Sequence, residues 1–189
     1  MTVYGVDGGR ALVGQFGPFA GHWVARPVCL EGQPSWTLGQ LWLIWDRTFA
    51  RDTAGFIRAL RCHDWSVLSC DWPASGVIPK GWRASLQPDG REEYGHVVGM
   101  GRTLPYYYRC DIVRGQMGLN GRRPGPALLG ETYSWAYLWE SGLRAMHVYT
   151  EAAGQWVHVA TLPNGVWADL TEEMMLDIEA RRGWLERAA

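Results

Sequence analysis

Lysine and long hydrophobic runs are both scarce in this sequence of 189 residues. Of its 18 basic residues 17 are arginine, and Lys80 is the only lysine, which disfavours any mechanism that needs a catalytic lysine. The 19 acidic residues give a formal net charge of −1, which argues against a histone-like polycation or an acidic mimic of nucleic acid. Arginine suits bidentate contacts with carboxylate or phosphate, so clusters of arginine are candidate recognition sites.

No apolar run reaches the 18–20 residues or so that a membrane span requires. Residues 1–10 also lack the basic and apolar regions of a secretory signal peptide. We therefore expect a cytoplasmic protein that has no membrane partner. The length predicts one compact domain over residues 1–189, with a possible division into subdomains within 71–95.

Cofactor and metal motifs are missing as well. The four cysteines form no C-x-x-C pair, and the ligand types at Cys62, His63, Asp64 and Cys70 lack a second cluster with zinc-site spacing. Neither G-x-G-x-x-G before a helix nor G-x-x-x-x-G-K-[ST] occurs. We predict no metal and no cofactor, and we expect the cysteines to be buried free thiols.

The elements predicted for the first half of the chain are mostly short strands. Thr2–Val6 and Arg10–Phe16 flank a glycine turn and predict a hairpin, and His22–Val28 predicts another strand. The apolar run Leu41–Trp45 predicts a strand that is buried on both faces. A further strand is expected at Trp65–Cys70.

One internal helix is predicted over residues 48–61, where Phe49, Phe56, Ile57 and Leu60 share one stripe. Asp46 or Thr48 can cap its start. The segment 41–70 therefore predicts a strand–helix–strand unit.

In the second half, Gly95–Met100 and Tyr106–Val113 are expected to be strands around a connection at Gly101–Pro105. An irregular loop is expected over 114–130. Residues 133–162 predict an antiparallel meander, and Leu170–Arg187 predicts a C-terminal helix capped by Asp169 or Thr171. The predicted fold class is α+β, with a mainly antiparallel sheet on which one internal helix and the C-terminal helix pack.

Tryptophan is unusually abundant, with twelve residues. We expect most of the indoles in the core and some at a binding surface. Carbohydrate or small-ligand binding on exposed indoles is a minor hypothesis that rests on composition alone.

The segment 99–126 is the strongest binding candidate, because it combines five arginines and three tyrosines with one acidic residue and many glycines. It could be a solvated loop, a nucleic-acid or phosphate site, or a protein-binding loop. If it binds, the expected contact residues are Arg102, Tyr106, Tyr107, Tyr108, Arg109, Arg114, Arg122 and Arg123.

Two histidines of the meander are candidates for an acid–base pair. Strand pairing across residues 150–154 would set His147 near Val157 or His158, where two imidazoles could act on RNA or a small substrate. We interpret them instead as unrelated sheet histidines, and we predict no catalytic residue because no set of nucleophile, base and orienting group is evident.

The sequence therefore predicts a non-catalytic interaction protein of the accessory, immunity or inhibitor type. Its partner would be a protein or ribonucleoprotein, bound through the Arg/Tyr/Gly-rich segment 99–126. The alternative is a protein that binds RNA or single-stranded DNA, or that processes RNA without a metal, and uses the same segment together with a histidine.

Overall fold

The computed structural model describes residues 10–19, 22–28, 32–62, 65–68, 94–98, 102–105, 113–116 and 133–188. Within these residues the helical elements are α1 (Pro34–Leu43), a π-helical turn (Ile44–Thr48), α2 (Thr53–Cys62), α3 (Asn164–Ala168) and α4 (Glu172–Ala188). The strands are β1 (Arg10–Phe16), β2 (His22–Val28), β3 (Trp65–Leu68), β4 (Tyr94–Val98), β5 (Arg102–Pro105), β6 (Val113–Gln116), β7 (Tyr133–Trp139), β8 (Ala145–Ala152) and β9 (Gln155–Pro163).

The described strands form two sheets. The larger sheet has the order β6-β2-β1-β7-β8-β9, and every neighbouring pair is antiparallel except β1 and β7. The smaller sheet has the order β3-β4-β5, with β3 parallel to β4. An α+β fold with a mostly antiparallel sheet was predicted correctly, and so was the meander formed by β7, β8 and β9.

The predicted strand at Leu41–Trp45 is wrong, because this run belongs to α1 and the π-helical turn. Pro34 begins α1, where a missing backbone N–H costs nothing. The buried positions that follow, Thr37, Leu38, Leu41 and Ile44, recur at helical spacing. Consequently the predicted strand–helix–strand unit is also wrong, and the chain has more than one internal helix.

The internal helix that was predicted over 48–61 starts later, at Thr53. Ala50 and Arg51 have positive φ angles and interrupt the helical path between the π-helical turn and α2. Asp52 then caps α2, since its Oδ1 accepts a hydrogen bond of 3.0 Å from the Gly55 amide. The cap was expected at Asp46 or Thr48.

Three further predictions, of one hairpin, one connection and one loop, need correction or qualification. Both edges of β1 are paired, with β2 and with β7, whereas Thr2–Val6, its predicted hairpin partner, lies outside the described residues. The predicted connection Gly101–Pro105 contains strand β5. The predicted loop over 114–130 contains most of β6, which pairs with β2.

The helices that are described pack on one face of the large sheet, which we call the helix face. Its core includes Val13, Leu41, Phe56, Trp139 and Trp167. The opposite face carries a second apolar cluster around Leu12, Trp23, Leu138 and Trp156. We call this opposite side the histidine face, because His147 and His158 lie on it.

The described indoles follow the expectation for tryptophan. Trp23, Trp45, Trp135, Trp139, Trp156 and Trp167 are buried, whereas Trp184 on α4 is 57% exposed. The C-terminal helix was predicted closely, and Thr171 is its cap, with Oγ1 accepting from the Met174 amide at 3.3 Å. Among the described helices, none is long and apolar enough to cross a membrane.

Candidate functional site

A cluster of ionisable and polar side chains lies on the histidine face. It consists of Glu140 just after β7, His147 on β8, and His158 and Thr161 on β9, and we call it the acid–base cluster. His158 and Thr161 are exposed, whereas His147 and Glu140 keep 22% and 39% of their side-chain surface. The cluster is therefore open to a ligand from solution.

A bulge in β9 assembles this cluster. His147 pairs with Thr161 and Tyr149 pairs with His158, so the register shifts by one residue and Val159 is left without a partner. Val159 and Ala160 both join the core of the helix face. In a regular strand, residues three apart point to opposite faces. The extra residue therefore brings His158 and Thr161 to the same face.

The Thr161 hydroxyl lies between the two imidazoles. Its Oγ1 is 3.2 Å from Nδ1 of His147 and 3.0 Å from Nε2 of His158, and these two nitrogens are 3.3 Å apart. On the other side of the His147 ring, Nε2 is 3.2 Å from Oε1 of Glu140. Because a carboxylate can only accept, Nε2 of His147 is the donor in that contact.

The donor and acceptor roles in this arrangement depend on the protonation of His147. When His147 is neutral, its Nδ1 accepts from Thr161, and Thr161 can accept from Nε2 of His158. When His147 is charged, Nδ1 donates to Thr161, whose proton then points to a neutral His158. The Glu140 carboxylate complements a positive charge on His147, whereas two charged rings at this distance would repel each other. One imidazole can therefore act as an acid while the other acts as a base.

Of the two imidazoles, His158 is the better candidate for a base. Partial burial lowers the pKa of His158, and the neighbouring His147 lowers it further. A lowered pKa keeps His158 neutral and able to accept a proton at neutral pH. Next to it, burial raises the pKa of Tyr149, so this phenol remains protonated.

Aromatic rings support the two histidines. Phe16 on β1 meets His147 edge to face, with ring centroids 6.1 Å apart, and contacts Tyr149 at 6.2 Å. Tyr149 in turn lies 5.2 Å from His158. These contacts limit the rotation of both imidazoles, which general acid–base catalysis requires.

A second set of contacts holds the turn that carries Glu140. The Gln15 side chain, which is 8% exposed, donates to the backbone carbonyls of Glu140 and Ser141 at 3.2 and 3.3 Å. The Arg61 guanidinium of α2 donates to the side-chain amide oxygen of Gln15 at 2.8 Å. The position of the Glu140 carboxylate is therefore tied to the helix layer through one buried amide.

An open groove of about 590 Å³ adjoins the acid–base cluster. Glu140 belongs to both, Phe16 lines the groove and contacts His147, and the groove extends along the β1–β2 turn to Phe19 and along the β7–β8 turn to Arg144. Phe19 is 72% exposed. Among the described residues, the exposed Arg144 guanidinium has no hydrogen-bond or ion-pair partner.

Two of the residues predicted to bind from sequence lie on described strands, and neither strand carries a member of the acid–base cluster. Arg114 lies on β6 of the large sheet, paired with Val24, and Arg102 lies on β5 of the small sheet, paired with Val97. Their strands belong to different sheets. The remaining candidates lie outside the described residues: Tyr106, Tyr107, Tyr108, Arg109, Arg122 and Arg123. Binding by segment 99–126 stays a prediction.

The interpretation of His147 and His158 as unrelated sheet histidines is wrong. Their pairing across the 150–154 turn was a usable signal, since Tyr149 opposite His158 places both rings on one face. Glu140 and Thr161 were missed because only the turn geometry and the bulge bring them to the pair.

Within the described part of the chain, no group of three or more His, Cys, Asp or Glu side chains is arranged to hold a metal ion. The predicted ligand types at residues 62–64 and 70 fall largely outside that part.

Comparison with models of protein families, with curated protein sequences and with solved structures finds no match for this chain. The acid–base cluster and the groove beside it are therefore the basis for a functional assignment.

Proposed function

We propose that this protein cleaves RNA by general acid–base catalysis at the acid–base cluster, with no need for a metal ion. The observation that carries the proposal is the Thr161 hydroxyl held at 3.0–3.2 Å between nitrogens of His158 and His147. This function is the alternative that the sequence predicted, and it now rests on residues other than the Arg/Tyr-rich segment.

The reaction that suits two imidazoles sharing one proton is transesterification at phosphorus. The Thr161 hydroxyl occupies Nδ1 of His147 and Nε2 of His158, so the 2′-hydroxyl and the 5′-oxygen of the substrate must displace it from these nitrogens. Neutral His158 then removes the proton of the ribose 2′-hydroxyl, and the 2′-oxygen forms a bond to the adjacent phosphorus. The bond from phosphorus to the 5′-oxygen of the next nucleotide breaks, and charged His147 protonates that oxygen. The products are a 2′,3′-cyclic phosphate and a free 5′-hydroxyl, with one proton taken up and one released.

The other members of the cluster have supporting roles in this scheme. Glu140 orients the His147 ring through its contact with Nε2 and complements the positive charge that the acid carries. Thr161 keeps Nδ1 of His147 and Nε2 of His158 directed at a common point. Because His158 and Thr161 are exposed, a polymer can approach them without entering a closed cavity.

The test is cleavage of a fluorogenic RNA oligonucleotide in the presence of EDTA, with the DNA oligonucleotide of the same sequence beside it. We expect cleavage of RNA only, with a 2′,3′-cyclic phosphate end identified by mass spectrometry. His147→Gln and His158→Gln should each lower kcat by about 100-fold or more. Failure of the wild-type protein to cleave RNA would overturn the proposal.

A matched pair of variants tests the geometry. Thr161→Val replaces the hydroxyl by a methyl group of similar size, whereas Thr161→Ser retains it. We expect Thr161→Ser to keep most of the kcat and Thr161→Val to lose it at an unchanged melting temperature. Equal activity of the two variants would show that the Thr161 hydroxyl takes no part in catalysis.

A second candidate function, binding of a protein partner, is favoured by the exposed side of α4. Trp184 is 57% exposed and Leu176, two turns earlier, is 50% exposed. Exposed tryptophan is typical of binding hot spots. A partner purified with the tagged protein should bind at least about tenfold more weakly to Trp184→Ala, and unchanged affinity would reject this surface.

A further inference from the structure

The groove beside the acid–base cluster has the features of a site for one nucleotide. It is lined by the exposed ring of Phe19 and by the Arg144 guanidinium, which has no partner among the described residues, and it adjoins the cluster through Phe16 and Glu140. Resting on the function proposed above, we infer that the groove binds a nucleotide that flanks the cleaved phosphate, with its base on Phe19 and its phosphate on Arg144.

Phe19 is suited to base stacking because its position is fixed although its ring is exposed. It lies in the β1–β2 turn, which is closed by hydrogen bonds from the Gly17 amide to the His22 carbonyl and from the His22 amide to the Phe19 carbonyl, at 2.7 and 3.1 Å. The His22 ring meets one side of Phe19 edge to face, with centroids 6.0 Å apart.

Arg144 is suited to phosphate because it is charged and its guanidinium contacts no other described side chain through a hydrogen bond or ion pair. The nearest acid that lines the groove is Glu140, whose carboxylate already contacts His147. The guanidinium presents a planar array of donors that matches two phosphate oxygens.

The Phe19 ring and the Arg144 guanidinium together indicate the class of ligand. A ring for stacking and a guanidinium for phosphate, both lining a groove of about 590 Å³, correspond to the two recognition elements of a nucleotide. Stacking tolerates any base, so we expect weak preference among the four bases and a dependence on the phosphate group.

The experiment is calorimetric titration of the protein with adenosine 3′-monophosphate, and with adenosine and inorganic phosphate as partial ligands. The nucleotide should bind, and each partial ligand should bind at least about tenfold more weakly. Phe19→Leu removes the ring and should weaken nucleotide binding by about tenfold, whereas Phe19→Trp should retain it. Arg144→Gln should weaken binding by about fivefold or more, and Arg58→Gln, on α2 at the helix face, should change nothing.

The outcomes separate this inference from the proposed function. Cleavage of RNA without nucleotide binding, or binding that Phe19→Leu and Arg144→Gln leave unchanged, overturns the nucleotide site alone. Nucleotide binding that depends on Phe19 and Arg144 supports the site even if no cleavage is found, since the titration requires no turnover.

Discussion

Arg181 on α4 donates a hydrogen bond of 2.5 Å from its guanidinium to the carbonyl oxygen of Val159, the extra residue of the β9 bulge. The same guanidinium contacts Asp177 one turn earlier in the helix, at 2.6 Å. The bulge would otherwise leave a backbone carbonyl without its strand partner. A helix on one face of the sheet therefore stabilises the irregularity that sets His158 and Thr161 together on the other face.

We expect Arg181→Met to lower RNA cleavage at the acid–base cluster and to destabilise the fold by about 1–2 kcal/mol, because the Val159 carbonyl loses its donor. The control is Arg182→Met, since Arg182 contacts Glu186 within α4. Urea unfolding gives the stability, and the pH–rate profile shows whether the pair of histidines has been disturbed. An unchanged pH–rate profile for Arg181→Met would show that support of the bulge by Arg181 does not position the histidines.

The stability of the protein should fall as the pH is lowered from about 7 to 5. The pKa of His158 is lowered in the folded protein, so the unfolded chain binds more protons in the range below its ordinary value of about 6.5. Acidification therefore favours unfolding, and the loss is complete once the pH passes below the folded pKa. Melting temperatures across this range should decline less for His158→Gln than for the wild type.

Asp52→Ala should destabilise the protein by about 1 kcal/mol, because the first turn of α2 loses the acceptor for the Gly55 amide. Asp52→Asn keeps a side-chain oxygen at the cap and serves as the control. Chemical denaturation measures both. Equal stability of Asp52→Ala and the wild type would show that the cap is dispensable.

The segment 99–126 yields a separate prediction about binding. Arg109→Ala and Tyr107→Ala should weaken binding to labelled 20-mer RNA or to a protein partner and leave the melting temperature nearly unchanged. Anisotropy at two salt concentrations distinguishes the ligands, since contacts with phosphate weaken steeply as salt rises. If both variants only unfold the protein, the segment is structural.

Much of the β-structure could be predicted from local sequence. The strands β1, β2, β7, β8 and β9 have β-prone runs bounded by turn residues, and the chain folds them accordingly. The first helix was not predictable in this way, because the continuous apolar run Leu41–Trp45 has no visible period. Thr37 and Leu38, earlier in the segment, are buried at intervals of four and three residues from Leu41. This helical spacing is not visible within the apolar run itself.

The acid–base cluster was less predictable than the strands. The distance between the histidines follows from an ordinary two-strand register, but the position of Thr161 depends on the unpaired Val159. No residue type at 157–161 marks a bulge. The contact of Val159 with Arg181, from a helix two elements later, is a tertiary interaction that local sequence does not encode.

The parallel pairing of β1 with β7 has a kinetic consequence. The two halves of the large sheet are each built around antiparallel pairs, β1 with β2 and β7 with β8 and β9, whose strands are close in sequence. Joining the halves closes a loop that contains the whole middle of the chain. The entropy of that closure opposes the junction until its contacts form. We therefore expect the folding rate to depend on the encounter of the two antiparallel units more than on the growth of either one.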